Sequence, residues 1–368
     1  MSFNELAAHT GLSYDAVWKR YKTLKLPVKE KEIPVPPKEQ IAADLQKLSA
    51  KKDRLDTETK YEMLLLELES ACAERDAIKQ LAPIDTFKIH TAVANGKSEA
   101  TAVAVASDWH IEEDVAKQQV NGLNEFTLDI ATTRAEAFFA NALRLLKINQ
   151  QDITIKTMVL ALLGDFISGS IHEDLAEGNN LPPIKALLFA QNLIASGIEF
   201  LLANSDVNLV IPCHSGNHGR STMKQRHAME AGNSFEFFMY HNLANYFKGE
   251  KRVKFIIPEG YLSYLEVYDT VIRFHHGHAI KYGGGIGGIF IPAFKAIGQW
   301  NKSRWATVDV FGHFHQQRNG GNFLCNGSLI GYNAYAIAIK AEFEKPAQTF
   351  FLVHNKHGIE AVNKIRLE

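Results

Sequence analysis

The stretch "ATAVAVASDWH", residues 100–110, joins a strand-like run to two polar side chains. The run consists of alanine, valine and threonine, a composition typical of a strand that is buried on both faces. Asp108 and His110 follow it directly. Residues two apart on an extended segment point to the same side. The stretch therefore predicts a buried strand whose carboxyl end presents a carboxylate and an imidazole together.

Further segments of the chain are also predicted to be buried strands. They are "MVLALLG" (158–164), "VNLVIPC" (207–213), "TVIRFH" (270–275), "ATVDVFG" (306–312) and "FLCNGS" (323–328). Helical patterns lie between the first few of them, at Ala131–Lys147 and Pro183–Leu202. Strands that alternate with helices are typical of layered α/β proteins. We therefore expect an α/β fold for residues 95–368.

Polar motifs follow five of these strands. They are Asp108-Trp109-His110, Gly164-Asp165, Gly216-Asn217-His218, His276-Gly277-His278 and Gly312-His313-Phe314-His315. Each motif alone occurs often by chance, but together their side chains converge on one edge of an α/β sheet, where ligands usually bind. Nitrogen and oxygen donors without thiolates suit manganese, iron, zinc or nickel. The order of the motifs therefore predicts a metal site.

This order of motifs resembles the calcineurin-like metallophosphoesterase superfamily over residues 100–335, and "NGSL" at 326–329 resembles the sequel usual in that family. The same region is similar to phage and bacterial phosphoesterases of the DNA-repair-exonuclease-like kind. The resemblance implies a metallophosphoesterase layered α/β sandwich, here with a helical N-terminal extension. It also implies an enzyme, a metal-dependent hydrolase that acts on phosphoesters.

The resemblance implies two divalent metal ions, with manganese expected and iron, zinc, nickel or magnesium as alternatives. The first would be held by Asp108, His110, Asp165 and His315. The second would be held by Asp165, Asn217, His276 and His313, with Asp165 bridging. By the same pattern His275 is expected in the core or behind the metal ligands, and His278 at the edge of the site as a substrate-binding residue.

The resemblance further implies a mechanism in which a hydroxide held between the metals attacks phosphorus in line. His218 resembles the family histidine that stabilises the transition state or protonates the leaving oxygen. The family often places Asp or Glu after that histidine, whereas this chain has Gly219 and Arg220. The protonation state of His218 is therefore left open. We expect Arg220 to clamp a phosphate of the substrate.

Three functions remain open from the sequence: a DNA nuclease, a phosphatase or phosphodiesterase acting on a nucleotide or another small phosphoester, and a non-catalytic DNA-binding or scaffold protein. Cations that interleave with aromatic side chains near the motifs favour the nuclease, because such surfaces bind single strands. They are Arg220, Lys224 and Arg226, and, within 281–305, Lys281, Tyr282, Lys295, Trp300, Lys302, Arg304 and Trp305. The alternative is that the tryptophans are core and the lysines are solvated.

Residues 1–30 resemble a helix-turn-helix segment. Gly11 supplies the turn, and Ser13 is a plausible N-cap for the second helix. The side chains expected near a phosphate backbone are Trp18, Lys19, Arg20, Lys22 and Lys25. We therefore expect DNA as a partner; the alternative is a small helical hairpin that serves only packing.

Pro34, Pro36 and Pro37 mark residues 31–40 as a stiff linker. Residues 41–90 are expected to form a long, coiled-coil-like helical segment, whose apolar residues over 41–82 follow three- and four-residue spacing. Its apolar stripe needs a partner. We expect self-association into an oligomer, with packing on the chain's own C-terminal domain as the alternative.

Composition bounds the remaining functions. The 368 residues carry a net charge of −1, so that nucleic-acid or membrane binding would need a local patch rather than a global basic field. The 3 cysteines have no metal-type spacing and fit a reducing compartment. No signal-peptide pattern and no long uninterrupted apolar run is visible. We therefore expect a cytoplasmic protein without a membrane partner.

Overall fold

The computed structural model describes residues 3–24, 38–80, 87–89, 98–171, 177–282 and 287–368. The chain divides into two compact units, Met1–Leu81 and Ala82–Glu368. The prolines of the predicted linker, Pro34, Pro36 and Pro37, lie outside the described residues, and so does Lys25.

The first unit is helical. It contains α1 (Phe3–Thr10), α2 (Tyr14–Leu24) and α3 (Lys38–Gln80). The Ser13 hydroxyl accepts a hydrogen bond from the Ala16 amide at 3.4 Å, so Ser13 caps α2 as expected. Val17 is buried, while Trp18, Lys19, Arg20 and Lys22 are exposed. The two short helices lie where the sequence predicts them, and their DNA-binding role stays a prediction.

α3 is one helix of 43 residues. It begins at Lys38, inside the predicted linker, and ends at Gln80, although helix was expected to residue 90. The expectation is wrong for Phe87–Ile89, which form a strand in the second unit, ahead of the predicted start of that domain at residue 95. The physical reason is that Phe87–Ile89 pair in parallel with a strand over Ser263–Val267. The backbone hydrogen bonds of this pairing come from a distant part of the chain, and local helix propensity takes no account of them.

Within the residues that the structure describes, the second unit contains two sheets of six strands each. The first sheet has the strand order β12-β11-β2-β3-β4-β5, and the second has the order β1-β6-β7-β8-β10-β9. The strands are β1 (Phe87–Ile89), β2 (Ala100–Ala106), β3 (Thr157–Leu162), β4 (Asn208–Pro212), β5 (Val253–Ile256), β6 (Ser263–Val267), β7 (Thr270–Phe274), β8 (Val308–Phe311), β9 (Arg318–Asn319), β10 (Phe323–Cys325), β11 (Ala347–His354) and β12 (Gly358–Arg366).

Helices cover the outer faces of the sheets. They are α4 (Leu128–Asn149), α5 (Pro183–Asn204) and α6 (Phe235–Tyr246) on the first sheet, and α7 (Phe290–Ser303) on the second. A short helix, α8 (Ala334–Ala338), and two 3₁₀ turns, Lys117–Val120 and Ala231–Asn233, lie in connections. Between the sheets, side chains such as Val105, Ile272 and Phe351 form a buried core. The predicted layered α/β architecture is confirmed.

Among the described helices, α5 is long and apolar enough, by length and composition alone, to cross a membrane. A core helix of a soluble protein passes the same test. Here Ala190, Ile194 and Ile198 on α5 are fully buried in the core against the first sheet. In this structure one apolar face of α5 is therefore used for packing, while Ile184 and Leu188 on the same helix are exposed.

Candidate metal centre

The five predicted motifs all lie in loops that leave the carboxyl ends of strands. In the first sheet, β2, β3 and β4 run parallel, and in the second β7 and β8 run parallel. Glycines let these loops approach one another. A Cβ atom on Gly164 would overlap the Gly216 backbone, and one on Gly312 would overlap the Asp108 carboxylate. The glycines of the motifs therefore bring the polar side chains of separate loops together.

Several of the motif residues adopt a backbone conformation that favours glycine. Positive φ angles occur at Asp108 (55°), His110 (47°), Asp165 (52°), His313 (70°) and His315 (54°). Each such residue costs on the order of 1–3 kcal/mol, and such residues cluster at functional sites. Main-chain hydrogen bonds hold the first of them, since the Asp108 amide donates to Gly164 O at 2.9 Å.

The first cluster consists of Asp108, His110 and His315, whose ligand atoms lie within 4.8 Å of one another. The Nε2 atoms of His110 and His315 are 3.2 Å apart. His315 Nε2 lies 3.5 Å from Asp108 Oδ1. The Asp108 carboxylate also accepts the main-chain amide of His313, at 2.9 and 3.0 Å from its two oxygens. Three side chains from two loops thus aim donor atoms at one point.

The second cluster consists of Asp165, His276 and His313, again within 4.8 Å. His276 Nε2 lies 2.8 Å from Asp165 Oδ2 and 3.2 Å from Asn217 Oδ1. Asp165 also groups with His110, a member of the first cluster, and with His218 within the same limit. The structure therefore brings all seven predicted ligands together and places Asp165 between the clusters.

Burial and the charge of Asp165 set the protonation of the imidazoles. Burial holds the pKa of His110 and of His313 well below the ordinary value and lowers the pKa of His315 to about 4. Burial opposes the charge of His276 as well, but Asp165 outweighs it and raises the pKa of His276 to about 10. The neutral rings of His110, His313 and His315 keep a lone pair for a metal, whereas His276 would have to lose a proton to bind one.

The carboxylates are shifted in opposite directions. Burial raises the pKa of Asp108 to about 7. Burial also acts to raise the pKa of Asp165, but His276 and His218 outweigh it and hold that pKa well below its usual range. Buried carboxylates beside imidazoles, without thiolates, form a donor set that fits two divalent cations.

Hydrogen bonds orient the histidine rings. His276 Nδ1 lies 2.6 Å from the carbonyl oxygen of Leu163, which can only accept, so Nδ1 carries the proton. His110 Nδ1 lies 2.9 Å from the Ser168 hydroxyl. Partners of this kind on Nδ1 direct Nε2 toward a metal. Both rings therefore present Nε2 to their clusters.

His218 lies beside the first cluster, with its ring centroid 4.8 Å from that of His110. Its main-chain amide donates to Asp165 Oδ1 at 2.7 Å. Gly219 follows His218 in the chain, and the Ser168 carbonyl oxygen lies 3.2 Å from His218 Nδ1. Because a carbonyl only accepts, Nδ1 is the donor, and Nε2 is the nitrogen that can gain or lose a proton.

The two predicted substrate residues are engaged with neighbouring groups. The Arg220 guanidinium donates to the carbonyl oxygens of Asn217, Thr222 and Met223, and so holds the loop that follows β4. His278 Nε2 lies 2.8 Å from Glu230 Oε1, in the same loop. Their contacts with substrate stay predictions.

His275 lies in the core, as expected. Its Nε2 atom is 3.3 Å from Asp309 Oδ1, and its ring stacks on Phe311. Asp309 also accepts from Arg273 at 2.7 and 2.8 Å, and all of these polar groups are fully buried. Of the three histidines in 275–278, His276 alone belongs to a metal-type cluster among the described residues.

Sequence reasoning missed the buried carboxylates that support the site. Glu236 on α6 accepts from the amides of Phe166 (2.6 Å) and Gly216 (2.7 Å), and so ties together the loops after β3 and β4. Burial, with the charge of Asp165 next, raises the pKa of Glu236 to about 8. Glu112 accepts from the amide of Ser168 at 2.9 Å. Both lie outside the motifs, so no spacing in the sequence marks them.

The predicted strand-binding surface over 281–305 is only partly available. The Trp300 ring lies 4.9 Å from that of His275, and the Arg304 guanidinium lies 4.0 Å above the Tyr264 ring. Contacts within the protein therefore engage these two half-buried side chains, which agrees for Trp300 with the alternative that the tryptophans are packed, and the strand-binding role of the surface stays a prediction. Other members of the set are exposed: Lys281, Tyr282, Lys295, Lys302 and Trp305.

No protein-family model and no curated protein matches the chain. Solved structures similar to it include a dimetal phosphatase from Danio rerio, at 9% identity and a TM-score of 0.34, covering 73% of this chain and 99% of that chain. A predicted phosphoesterase from Streptococcus pneumoniae has 11% identity, a TM-score of 0.27 and coverages of 72% and 97%. Vacuolar protein sorting 29 from Cryptosporidium parvum has 13% identity, a TM-score of 0.31 and coverages of 72% and 98%. At these scores the function has to be argued from the site itself.

Proposed function

We propose that the protein is a two-metal-dependent phosphoester hydrolase of the calcineurin-like kind. The observation that carries the proposal is the position of Asp165, which shares one ligand-type group with His110 and another with His276 and His313. A carboxylate in that position suits two cations that lie side by side, and two-metal sites of this type hydrolyse phosphoesters. Manganese is the expected ion.

The roles of the side chains follow from their positions. Asp108, His110, Asp165 and His315 would hold one cation, and Asp165, Asn217, His276 and His313 the other. When bound, the cations supply Lewis acidity toward the phosphoryl group and lower the pKa of the attacking water.

His218 acts on the leaving group. Its Nδ1 proton is held by the Ser168 carbonyl, so that Nε2 is the atom that passes a proton to the leaving oxygen. The main-chain bond from His218 to Asp165 keeps the imidazole beside the clusters. His218 is therefore proposed as the general acid.

We propose DNA as the substrate. Lys224 and Arg226 are exposed in the loop after β4. Glu230 in the same loop contacts His278, which lies beside the second cluster. The Tyr282 ring, also exposed, lies 6.4 Å from that of Phe314, the residue between His313 and His315. Cations and an aromatic ring beside a hydrolytic centre suit a nucleic-acid strand.

A nucleotide or another small phosphoester is the second candidate. The observation that favours it is the engagement of Arg220, Trp300 and Arg304 in contacts within the protein. With these side chains occupied, fewer groups remain for a long strand than the sequence suggested.

Activity with Mn²⁺ on labelled single- and double-stranded DNA, compared with a panel of nucleotides, tests the proposal. Cleavage of DNA at far higher kcat/KM than any nucleotide is the expected result. Preference for a nucleotide would move the proposal to the second candidate. Two bound metals without turnover of any ester would instead support the non-catalytic DNA-binding or scaffold protein.

The first unit carries exposed apolar and cationic side chains. Leu45, Leu64 and Leu68 on α3 are each more than 60% exposed, at 61%, 63% and 61%. We propose that α3 self-associates through these side chains, and that α2 contributes its cations to DNA binding. The described cysteines, Cys72, Cys213 and Cys325, are all free thiols, in keeping with a cytoplasmic location.

A further inference from the structure

Ser168 uses each of its polar atoms on the candidate site, although it belongs to no motif. It is fully buried in the loop after β3. Its hydroxyl lies 2.9 Å from His110 Nδ1 and 3.4 Å from Glu113 Oε2. Its carbonyl oxygen lies 3.2 Å from His218 Nδ1, and its amide donates to Glu112 at 2.9 Å.

The hydroxyl has a defined direction. A serine hydroxyl has one proton, which the Glu113 carboxylate can accept, so that the oxygen accepts from His110 Nδ1. Glu113 is itself fixed, because its Oε1 atom accepts from the Asn333 side-chain amide at 2.8 Å. His110 then carries its proton on Nδ1, and its Nε2 atom, 3.2 Å from that of His315, keeps a lone pair toward the first cluster.

The carbonyl is fixed independently of the hydroxyl. Glu112 Oε1 accepts from the amides of Ser168 (2.9 Å) and Gly169 (2.8 Å), and this holds the peptide in place. Gly169 has a φ of 63°, and a Cβ there would lie 2.8 Å from His218 O. The loop after β3 therefore approaches His218 closely enough for the Ser168 carbonyl to accept from its ring.

We propose that Ser168 is a positioning residue with two separate duties, which rest on the proposed function of the site. Its hydroxyl, backed by Glu113, directs His110 toward the first metal. Its carbonyl directs Nε2 of His218 toward the leaving group. The two duties use different atoms, so a side-chain change removes one and leaves the other.

The test compares Ser168→Ala with a matched control, Ser263→Ala. Ser263 is also buried and lies 2.7 Å from a histidine, His214 Nε2, that belongs to no metal-type cluster among the described residues. Mn²⁺ binding to metal-free protein is measured by calorimetry. Ser168→Ala should weaken one of two binding steps by roughly 10–100-fold, the usual effect of losing a group that orients a metal ligand. Ser263→Ala should bind both ions as the wild type does.

The second measurement is the dependence of rate on leaving-group pKa at saturating Mn²⁺. Ser168→Ala keeps the carbonyl, so its slope should equal that of the wild type, whereas His218→Ala should steepen the slope. Unchanged Mn²⁺ affinity in Ser168→Ala would overturn the duty of the hydroxyl. A slope as steep as that of His218→Ala would overturn the separation of the two duties.

Failure of this inference and failure of the proposed function give different results. If the wild type hydrolyses no phosphoester but Ser168→Ala still loses Mn²⁺ affinity, the positioning role stands and the proposed function is wrong.

If Ser168→Ala does not fold, Glu113→Gln replaces it, because the amide keeps the shape of the side chain and removes the charge behind the Ser168 hydroxyl. It should weaken the same binding step, toward the lower end of roughly 10–100-fold, and normal affinity would refute the proposal.

Discussion

The Asp165 carboxylate contacts groups from two separate loops of the site. Its Oδ2 atom lies 2.8 Å from His276 Nε2, and its Oδ1 atom accepts the His218 amide at 2.7 Å. It does so with a φ of 52°, in a loop where a Cβ on Gly216 would overlap its carboxylate. The residue is therefore held in place by its surroundings before any ligand binds.

Asp165→Asn should weaken both metals and reduce turnover by more than ~100-fold, since even groups that only orient a ligand cost about 10–100-fold. The amide has half the acceptor capacity of the carboxylate and no charge. Elemental analysis after dialysis and kcat/KM on a diester measure the two effects. Asp269→Asn, an exposed aspartate in the turn that precedes β7, is the control. Two retained metals with near-normal turnover would refute the site assignment.

His218→Ala should keep both metals, because the ring is expected to act on the leaving group. Turnover should fall by about 10²–10⁴-fold on esters with poor leaving groups, which need a proton, and much less on nitrophenyl esters. Steady-state rates on a series of esters provide the measurement, with metal content checked in parallel. An equal loss on every ester would assign His218 to binding or charge stabilisation instead.

At the scale of elements, α6 contributes a buried carboxylate that joins two loops of the site. Glu236 accepts from the amides of Phe166 and Gly216, and its pKa is raised by burial and then by Asp165 from an ordinary 4.5 to about 8. A carboxyl that holds its proton more tightly when folded makes the free energy of unfolding fall as pH rises between those two values.

Glu236→Gln tests this arrangement in metal-free protein. The amide NH₂ cannot accept, so one main-chain donor loses its partner, and the free energy of unfolding should drop by about 1–3 kcal/mol near pH 5. Its fall from pH 5 to pH 8 should also become shallower than in the wild type. Urea unfolding at several pH values measures both effects, with Glu136→Gln on the exposed face of α4 as the control. An identical pH dependence would contradict the raised pKa.

The sequence predicted elements well where local pattern and burial agree. β2 and β3 are buried throughout and lie where expected, and the motifs at their ends led to three of the seven clustered ligands, Asp108, His110 and Asp165. β1 was missed because its pairing partner lies far along the chain. Glu236 and Ser168 were missed because their roles depend on which amides and rings the fold brings to them. The two interpretations of Trp300, packed or strand-binding, could not be separated from the sequence, because nothing in its spacing reveals the buried His275 beside it.

At the scale of the whole molecule, near-neutral charge leaves DNA affinity to local groups. The chain has 40 Lys and Arg against 41 Asp and Glu. The metal-type clusters among the described residues all lie in the second unit, which has its own buried core, while α2 and α3 with their exposed side chains belong to the first. We therefore expect hydrolysis and assembly to be separable.

Deleting residues 1–81 should separate hydrolysis from assembly. The deletion has to end before Phe87, because β1 begins there and pairs with β6. Hydrolysis of bis-nitrophenyl phosphate should stay nearly unchanged, because every proposed ligand remains. DNA affinity should fall, and its logarithmic salt dependence should become shallower by about 0.9 for each lost phosphate contact on duplex DNA. The deletion removes Lys19, Arg20 and Lys22 on α2, the exposed cations proposed to contact the phosphate backbone, together with exposed cations of α3 such as Lys51 and Arg54. The particle should also become smaller, because the exposed leucines of α3 are lost.

A salt titration of DNA binding and light scattering on both proteins provide the measurements. An unchanged salt slope would dismiss the DNA-binding role of α2, and an unchanged number of chains per particle would dismiss self-association through α3.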